Sequence, residues 1–274
     1  MITLPSIAIL GTGSMGGAIL GGLLQPSVTV MGGIRVTNRT VVKARPLASD
    51  AVQSFAIEET PDANERALAG ARLVLIGVKP AMVPDLLRSI APALEPDAIV
   101  VSVAAGVTIA KMEALVPSVV LRAMPNTPAT VGRGVTGLAA GTRSSEDDLA
   151  LARALFETVG TVLTVPETKI DALGTISGSG PAYVFYLIEQ LTKTAVDLGF
   201  SPDEAAAMVN GTFQGAAELL VDSGLDPAEL RRRVTSPKGT TERAIEVLES
   251  ADLKSVFDRA TASALARTRE LAAG

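Results

Sequence analysis

The sequence predicts an α/β chain, with an N-terminal Rossmann-like doubly wound sheet followed by an all-α C-terminal dimerisation domain. Three observations carry this expectation. Short apolar runs recur at 7–10, 73–78, 98–103 and 119–122, each the length of a strand covered on both faces. The first of them runs straight into a glycine-rich turn and then into apolar residues at helical spacing. From Glu167 onward only helical patterns remain. The boundary is placed between 165 and 166, giving an NAD(P)-binding domain over 1–165 and a helical substrate and dimerisation domain over 166–274.

Composition narrows the chemistry. With 274 residues and 47% hydrophobic content, the chain buries a large core and is not disordered. A net charge of −5 opposes nonspecific nucleic-acid binding and a polybasic membrane surface. Aromatics at 3% and no tryptophan disfavour base-stacking platforms. Cysteine and histidine are both absent. A disulfide, a thiolate nucleophile and a Cys/His metal site are thereby excluded, and no metal is expected. Any proton must come from Ser, Thr, Tyr, Lys, a carboxyl group or water. These features fit a soluble cytoplasmic protein. The uncharged start and the Gly13, Gly17, Gly21 spacing also occur in membrane helices. The preceding strand and the absence of a basic leader favour the turn instead.

Along the chain, Ile7 to Leu10 is the first strand, and Gly11, Gly13 and Gly16 form G-x-G-x-x-G. Gly11 permits the tight turn, Gly13 lets a pyrophosphate approach the backbone, and Gly16 lets helix and strand pack closely. Ser14 and Met15 open the helix whose N–H groups face the phosphates. Residues 25–33 are expected to form a loop and 34–37 the second strand. The residue ending that strand chooses the cofactor, an acid favouring NAD and basic or small polar residues accepting the NADP 2′-phosphate. Here Asn38, Arg39 and Thr40 follow Thr37 with no acid, which favours NADPH, with NADH possible. Pro46 should shorten the next helix. The 73–78 strand leads into Val78-Lys79-Pro80, and the 98–103 strand into Ala104-Ala105-Gly106, where small side chains leave room for a flat ring. The strand at 119–122 leads into Met124-Pro125-Asn126-Thr127-Pro128, a loop fixed by two prolines around an amide and a hydroxyl. A strand at 135–139, a helix from the Ser145 cap to 158 and a last strand at 161–165 complete this half.

In the second half, helices are expected at about 167–176, 180–198, 202–223, 226–234, 238–249 and 252–272, with Ser201-Pro202 and Asp226-Pro227 as starts and Gly199 and Gly224 as stops. Residues 180–188, GPAYVFYLI, have no polar face, so a second copy of the chain is expected to cover this helix. Ser177-Gly178-Ser179-Gly180-Pro181 and Thr235-Ser236-Pro237-Lys238-Gly239-Thr240-Thr241 each place hydroxyls and N–H groups at a helix start, where a small carboxylate would bind.

With VKP at 78–80, RAMPNTP at 122–128, SGSGPAY at 177–183 and TSPKGTT at 235–241, the chain resembles pyrroline-5-carboxylate reductase over essentially its whole length. The resemblance implies NAD(P)H-dependent reduction of 1-pyrroline-5-carboxylate to L-proline, the last step of proline biosynthesis. It also implies a homodimer through the C-terminal helices, assembled further into larger rings, with no nucleic-acid or membrane partner. Carried over by position, the substrate carboxylate would lie on the N–H groups of Gly239, Thr240 and Thr241. The Thr241 hydroxyl would face the ring nitrogen as proton donor, Ser177 and Gly178 would line the pocket, and Pro125 and Asn126 would flank the nicotinamide. Lys238 stands where the family commonly has Gly, a strained place for lysine if φ is positive. A 3-hydroxyacid dehydrogenase is the weaker alternative. Its lysine, about four residues beyond the Gly-rich loop, has no counterpart before Lys193. Another cyclic-imine reductase, or a nucleotide sensor without turnover, shares more of these features.

Overall fold

The structure, a computed structural model, describes the backbone of residues 1–273 and the side chains of residues 1–270. Residue 274, with which the expected second domain ends, lies outside the described residues. The chain divides into two compact units, one comprising Met1–Ser179 with the chain from Ala264 onward, the other Gly180–Ser263.

The first unit contains β1 (Ile2–Leu4), β2 (Ile7–Leu10), β3 (Val28–Val30), β4 (Ile34–Asn38), β5 (Val52–Ala56), β6 (Leu73–Ile76), β7 (Ile99–Ser102), β8 (Val119–Met124), β9 (Gly134–Ala140) and β10 (Gly160–Thr164). Eight of them form one sheet in the order β10-β9-β8-β7-β6-β2-β4-β5, while β1 and β3 pair separately. Only β8 and β9 run antiparallel. From β5 to β8 this is the doubly wound order, and it reverses between β2 and β6, where Leu10 pairs with Ile76. Such a reversal opens the crevice in which nucleotides bind. Every residue of β2, β6 and β7 is buried, which is why β2 and β6 read as unbroken apolar runs and β7 is broken only by Ser102 at its end.

Helices cover both faces. On one side Ile7, Ile9, Leu75 and Val101 pack with Ile19, Leu20 and Leu23 of α1 (Ser14–Leu23) and with Phe156. On the other, Ala8, Leu10, Val74 and Val100 pack with Leu68, Leu87 and Met112. Those residues lie on or beside α3 (Ala63–Leu68), α4 (Val83–Ile90), α5 (Ile109–Glu113) and α6 (Glu146–Glu157), which follow the four-residue α2 (Val41–Ala44). A 3₁₀ turn at Arg45–Leu47, containing Pro46, ends α2 as expected. α7 (Glu167–Leu173) also lies on the sheet. Its Ile170 is fully buried, and a Cβ on Gly137 would come within 2.7 Å of Leu173 Cδ1.

The second half is helical throughout its described residues, with α8 (Gly180–Asp197), α9 (Pro202–Ser223), α10 (Pro227–Arg233), α11 (Thr240–Ser250) and α12 (Leu253–Ala273). Ser201 and Glu204 form a reciprocal cap for α9, Gly224 ends it at φ 61°, and Asp226 caps α10. Two differences from expectation stand out. Residues 28–30, read as loop, form β3, and β1 and β5 had no clear pattern. Of the 177–181 stretch read as a loop, Ser177 and Gly178 belong to a π-helical turn, Gly174–Gly178, continuous with α7, and Gly180 and Pro181 open α8. Within the chain, α8 is not covered all round, since Val184, Phe185, Tyr186 and Leu187 are exposed, in line with the expectation that a second copy covers it. Among the described residues no helix is long and apolar enough to cross a membrane.

Candidate active site

The three glycines after β2 have separate steric reasons. Gly11 has φ +92°, and a Cβ there would lie 2.9 Å from Val78 Cγ1. A Cβ on Gly16 would meet the Gly11 carbonyl oxygen at 2.5 Å, and one on Gly77 would meet the same atom at 2.3 Å. The backbones after β2 and β6 therefore touch α1 and one another with no room for a side chain. Gly13 is different, for nothing lies within 4 Å of its Cβ position. It is the N-cap of α1, and no side chain caps that helix. Open space meets free N–H groups and the positive end of a ten-residue helix, which fits a pyrophosphate.

Beside this turn is a pocket of about 100 Å³ lined by Asn38, Arg39, Ile57, Asn64, Val78 and Met82, among others. The Asn64 side-chain oxygen is buried there without a hydrogen-bond partner. A small, largely apolar pocket beside the glycine turn fits a flat ring such as adenine. Nothing in ANERAL, the sequence of α3, distinguishes Asn64 from an ordinary first-turn residue, and only its placement reveals it.

Asn38 also supports the turn. It is buried, and its amide donates to the Thr12 hydroxyl, which braces the glycine turn. Arg39 stays exposed at the pocket rim, its guanidinium without a partner among the described residues. Thr40 is partly exposed beside it. Val78 lines the pocket, Lys79 is exposed in an extended conformation, and Pro80 begins a 3₁₀ turn. Ala104 is buried, with its N–H donating to Ser102 Oγ at 3.2 Å.

The 122–128 segment is braced from behind. Arg122 is 2% exposed and donates to Asp171 at 2.5 Å, while Glu167 accepts from it at 3.4 Å and from the Ile109 N–H at 2.7 Å. Met124 packs against the π-helical turn, its Cε 3.1 Å and 3.3 Å from where Cβ atoms of Gly174 and Gly178 would stand. Pro125 is buried. The Asn126 amide is occupied at both ends, donating to the Ser177 carbonyl at 2.9 Å and accepting from the Val135 N–H at 2.8 Å. It therefore holds the loop against the turn, and its direct reach to a ligand is correspondingly limited. Ser177 Oγ donates back to the Leu173 carbonyl at 3.1 Å, so the hydroxyl expected at a carboxylate-binding helix start is engaged within the π-helical turn.

In the second unit the TSPKGTT stretch ends at α11, whose N-cap is Gly239 with no side-chain cap. The Gly239 N–H donates to the Ser236 carbonyl at 3.0 Å, which removes one of the three donors expected for a carboxylate. Thr240 and Thr241 are exposed and head the first turn of this eleven-residue helix. Lys238 has φ 62°, the left-handed conformation that its departure from glycine put in question, and its N–H donates to Glu242 at 2.9 Å.

Comparison with known proteins bears on the whole chain. Residues 167–271 match the family described as pyrroline-5-carboxylate reductase dimerisation, and residues 6–106 match NADP oxidoreductase, coenzyme F420-dependent. A pyrroline-5-carboxylate reductase of Pseudomonas aeruginosa is 38% identical, covering 98% of this chain and 97% of that protein. The solved structure of a pyrroline-5-carboxylate reductase from Coxiella burnetii superposes with a TM-score of 0.89 at 34% identity, covering 97% of both chains. The fold is also that of Plasmodium falciparum pyrroline carboxylate reductase with NADP bound, at a TM-score of 0.81, 23% identity, and 97% and 98% coverage.

Proposed function

The chain belongs to the pyrroline-5-carboxylate reductase family, and we infer from that membership that it reduces 1-pyrroline-5-carboxylate to L-proline with NAD(P)H, the last step of proline biosynthesis. It is an oxidoreductase with a Rossmann-like domain and acts as a homodimer. In the finer reading, residues 1–165 bind the nucleotide and 166–274 serve substrate binding and dimerisation. Dimers join into larger rings, and the enzyme works in the cytoplasm without nucleic-acid or membrane partners.

The observation that carries the reading on the nucleotide side is the vacant space at Gly13 above an uncapped helix. When bound, the dinucleotide supplies a hydride from its nicotinamide to the imine carbon. The chain's own residues bind and orient. Gly13, Ser14, Met15 and Gly16 take the pyrophosphate, Asn64 the adenine, and Arg39 with Thr40 the ribose end. Val78, Lys79, Pro80, Ala104, Met124 and Pro125 bound the space toward the nicotinamide, with Asn126 fixing that loop. Family membership supports assigning the substrate carboxylate to the N–H groups of Thr240 and Thr241, and substrate contacts to Ser177 and Gly178. The Thr241 hydroxyl hydrogen-bonds the ring nitrogen. No strong acid is needed, because an imine nitrogen is basic enough to take its proton from water, in keeping with a chain that has no histidine.

The test is oxidation of NADPH or NADH on adding pyrroline-5-carboxylate. Thr241→Ala should lower kcat about tenfold, the effect of one hydrogen bond to a charged group, and Thr241→Ser should restore most of it. A wild-type rate with unchanged substrate affinity in Thr241→Ala would remove Thr241 from the reaction. Nucleotide binding without oxidation would favour a sensor.

A further inference from the structure

The ribose end of the nucleotide site contains a charge of the opposite sign to Arg39. β4 and β5 run parallel with Asn38 opposite Ala56, so the chain leaves both strands side by side. Two residues past β5 comes Glu58. Its N–H donates to the Arg39 carbonyl at 3.2 Å, and its carboxylate accepts from the Val41 N–H at 2.6 Å. These two contacts fasten Glu58 across 39–41, the stretch that receives the ribose 2′ substituent in a doubly wound nucleotide fold. Its neighbour Ile57 lines the adjoining pocket together with Asn38 and Arg39. Among the described residues Glu58 and Arg39 form no ion pair.

We propose that Glu58 is a cofactor-specificity residue, holding a carboxylate on a donor that the 2′-phosphate of NADPH would use and opposing the preference that Arg39 creates. A 2′-phosphate brings like charge to this carboxylate well within a screening length of about 8–10 Å. The 2′-hydroxyl of NADH brings none and can donate to it, the usual service of an acid in this region. The inference rests on reading Arg39 as the 2′-phosphate contact, and the experiment separates the two.

Glu58→Gln keeps an acceptor for the Val41 N–H and removes only the charge. Its ratio of kcat/KM for NADPH over NADH should rise about three- to tenfold, and the rise should shrink at high salt. By calorimetry, adenosine 2′,5′-bisphosphate should bind the variant more tightly by a similar factor, with adenosine 5′-monophosphate unchanged. Arg39→Ala should lose affinity for the bisphosphate alone. If Arg39→Ala behaves so while Glu58→Gln leaves both ratios unchanged, the Glu58 role is overturned and the Arg39 reading stands. If Arg39→Ala affects both ligands equally or neither, the Arg39 reading falls, and Glu58 is judged by its own ratio. Equal weakening of both nucleotides by Glu58→Gln would make it a structural clamp and refute the proposal.

Discussion

Lys238 has its backbone at φ 62°, where an L side chain crowds the following carbonyl at a cost of roughly 1–2 kcal/mol. Glycine avoids that crowding but loses about 0.5–1 kcal/mol of chain entropy on ordering. Lys238→Gly should therefore be more stable than Lys238→Ala by about 0.5–1 kcal/mol in urea melts, and an alanine variant equal to or better than the glycine variant would deny the strain. The fingerprint glycines allow a cleaner separation of stability from function. Gly13 has φ −69° and open space at its Cβ position, so Gly13→Ala should fold with an unchanged Tm and lose nucleotide affinity. Gly16→Ala forces a Cβ to 2.5 Å from a backbone oxygen, so it should lower Tm first. Equal thermal damage in both would refute this division. The clearances at Gly11 and Gly16 were legible in the sequence because each is a backbone requirement. The amides were not. Asn38, Asn64 and Asn126 look alike in a sequence, yet one braces a turn, one lines a pocket with its oxygen buried and unpaired, and one joins two segments. Only tertiary placement assigns an amide its partner.

Among elements, those with local start and stop signals were read correctly. α6 begins at Ser145, whose hydroxyl accepts from the Asp148 N–H, while the Asp148 carboxylate accepts from the Ser145 N–H at 3.0 Å. Arg72, just before β6, reaches the same carboxylate at 2.8 Å. Burial pushes the Asp148 carboxyl up, but the Ser145 and Arg72 bonds together outweigh it and hold it below its usual 3.8. A folded-state value below the unfolded one stabilises the fold fully above about 3.8, and that stability is lost as pH falls through the folded value. Asp148→Asn should thus lower the urea midpoint at neutral pH and make it less dependent on pH below about 4. Parallel profiles for variant and wild type would exclude the linkage. Elements without local signals went unread. β3 and β5 are half-exposed strands with no unbroken apolar run, and they exist because β1 and β4 offer them a partner edge. SGSG reads as a loop by composition, yet Gly174 and Gly178 give a π-helical turn the clearance to pack under Met124.

At the scale of the whole molecule, an alternation of apolar strands and helical patterns sufficed to anticipate a doubly wound sheet, because crossover rules leave few ways to connect parallel strands. The assembly was legible for a different reason. Four consecutive residues of α8, Val184, Phe185, Tyr186 and Leu187, remain exposed, Phe185 at 66%. Successive helical residues are about 100° apart, so four in a row point to every side and no single neighbouring helix can cover them. Helices of a second protomer must surround α8 from more than one direction, which fits a family matched over 167–271 by its dimerisation region. Folding and association are then linked, and Tm should rise with protein concentration. Phe185→Glu would place a charge where association requires an apolar side chain, and should give a species near 28 kDa in sedimentation with its helical circular dichroism largely kept. A variant that remains fully dimeric at the same concentration, with a Tm independent of dilution, would mean that this face of α8 lies outside the dimer interface.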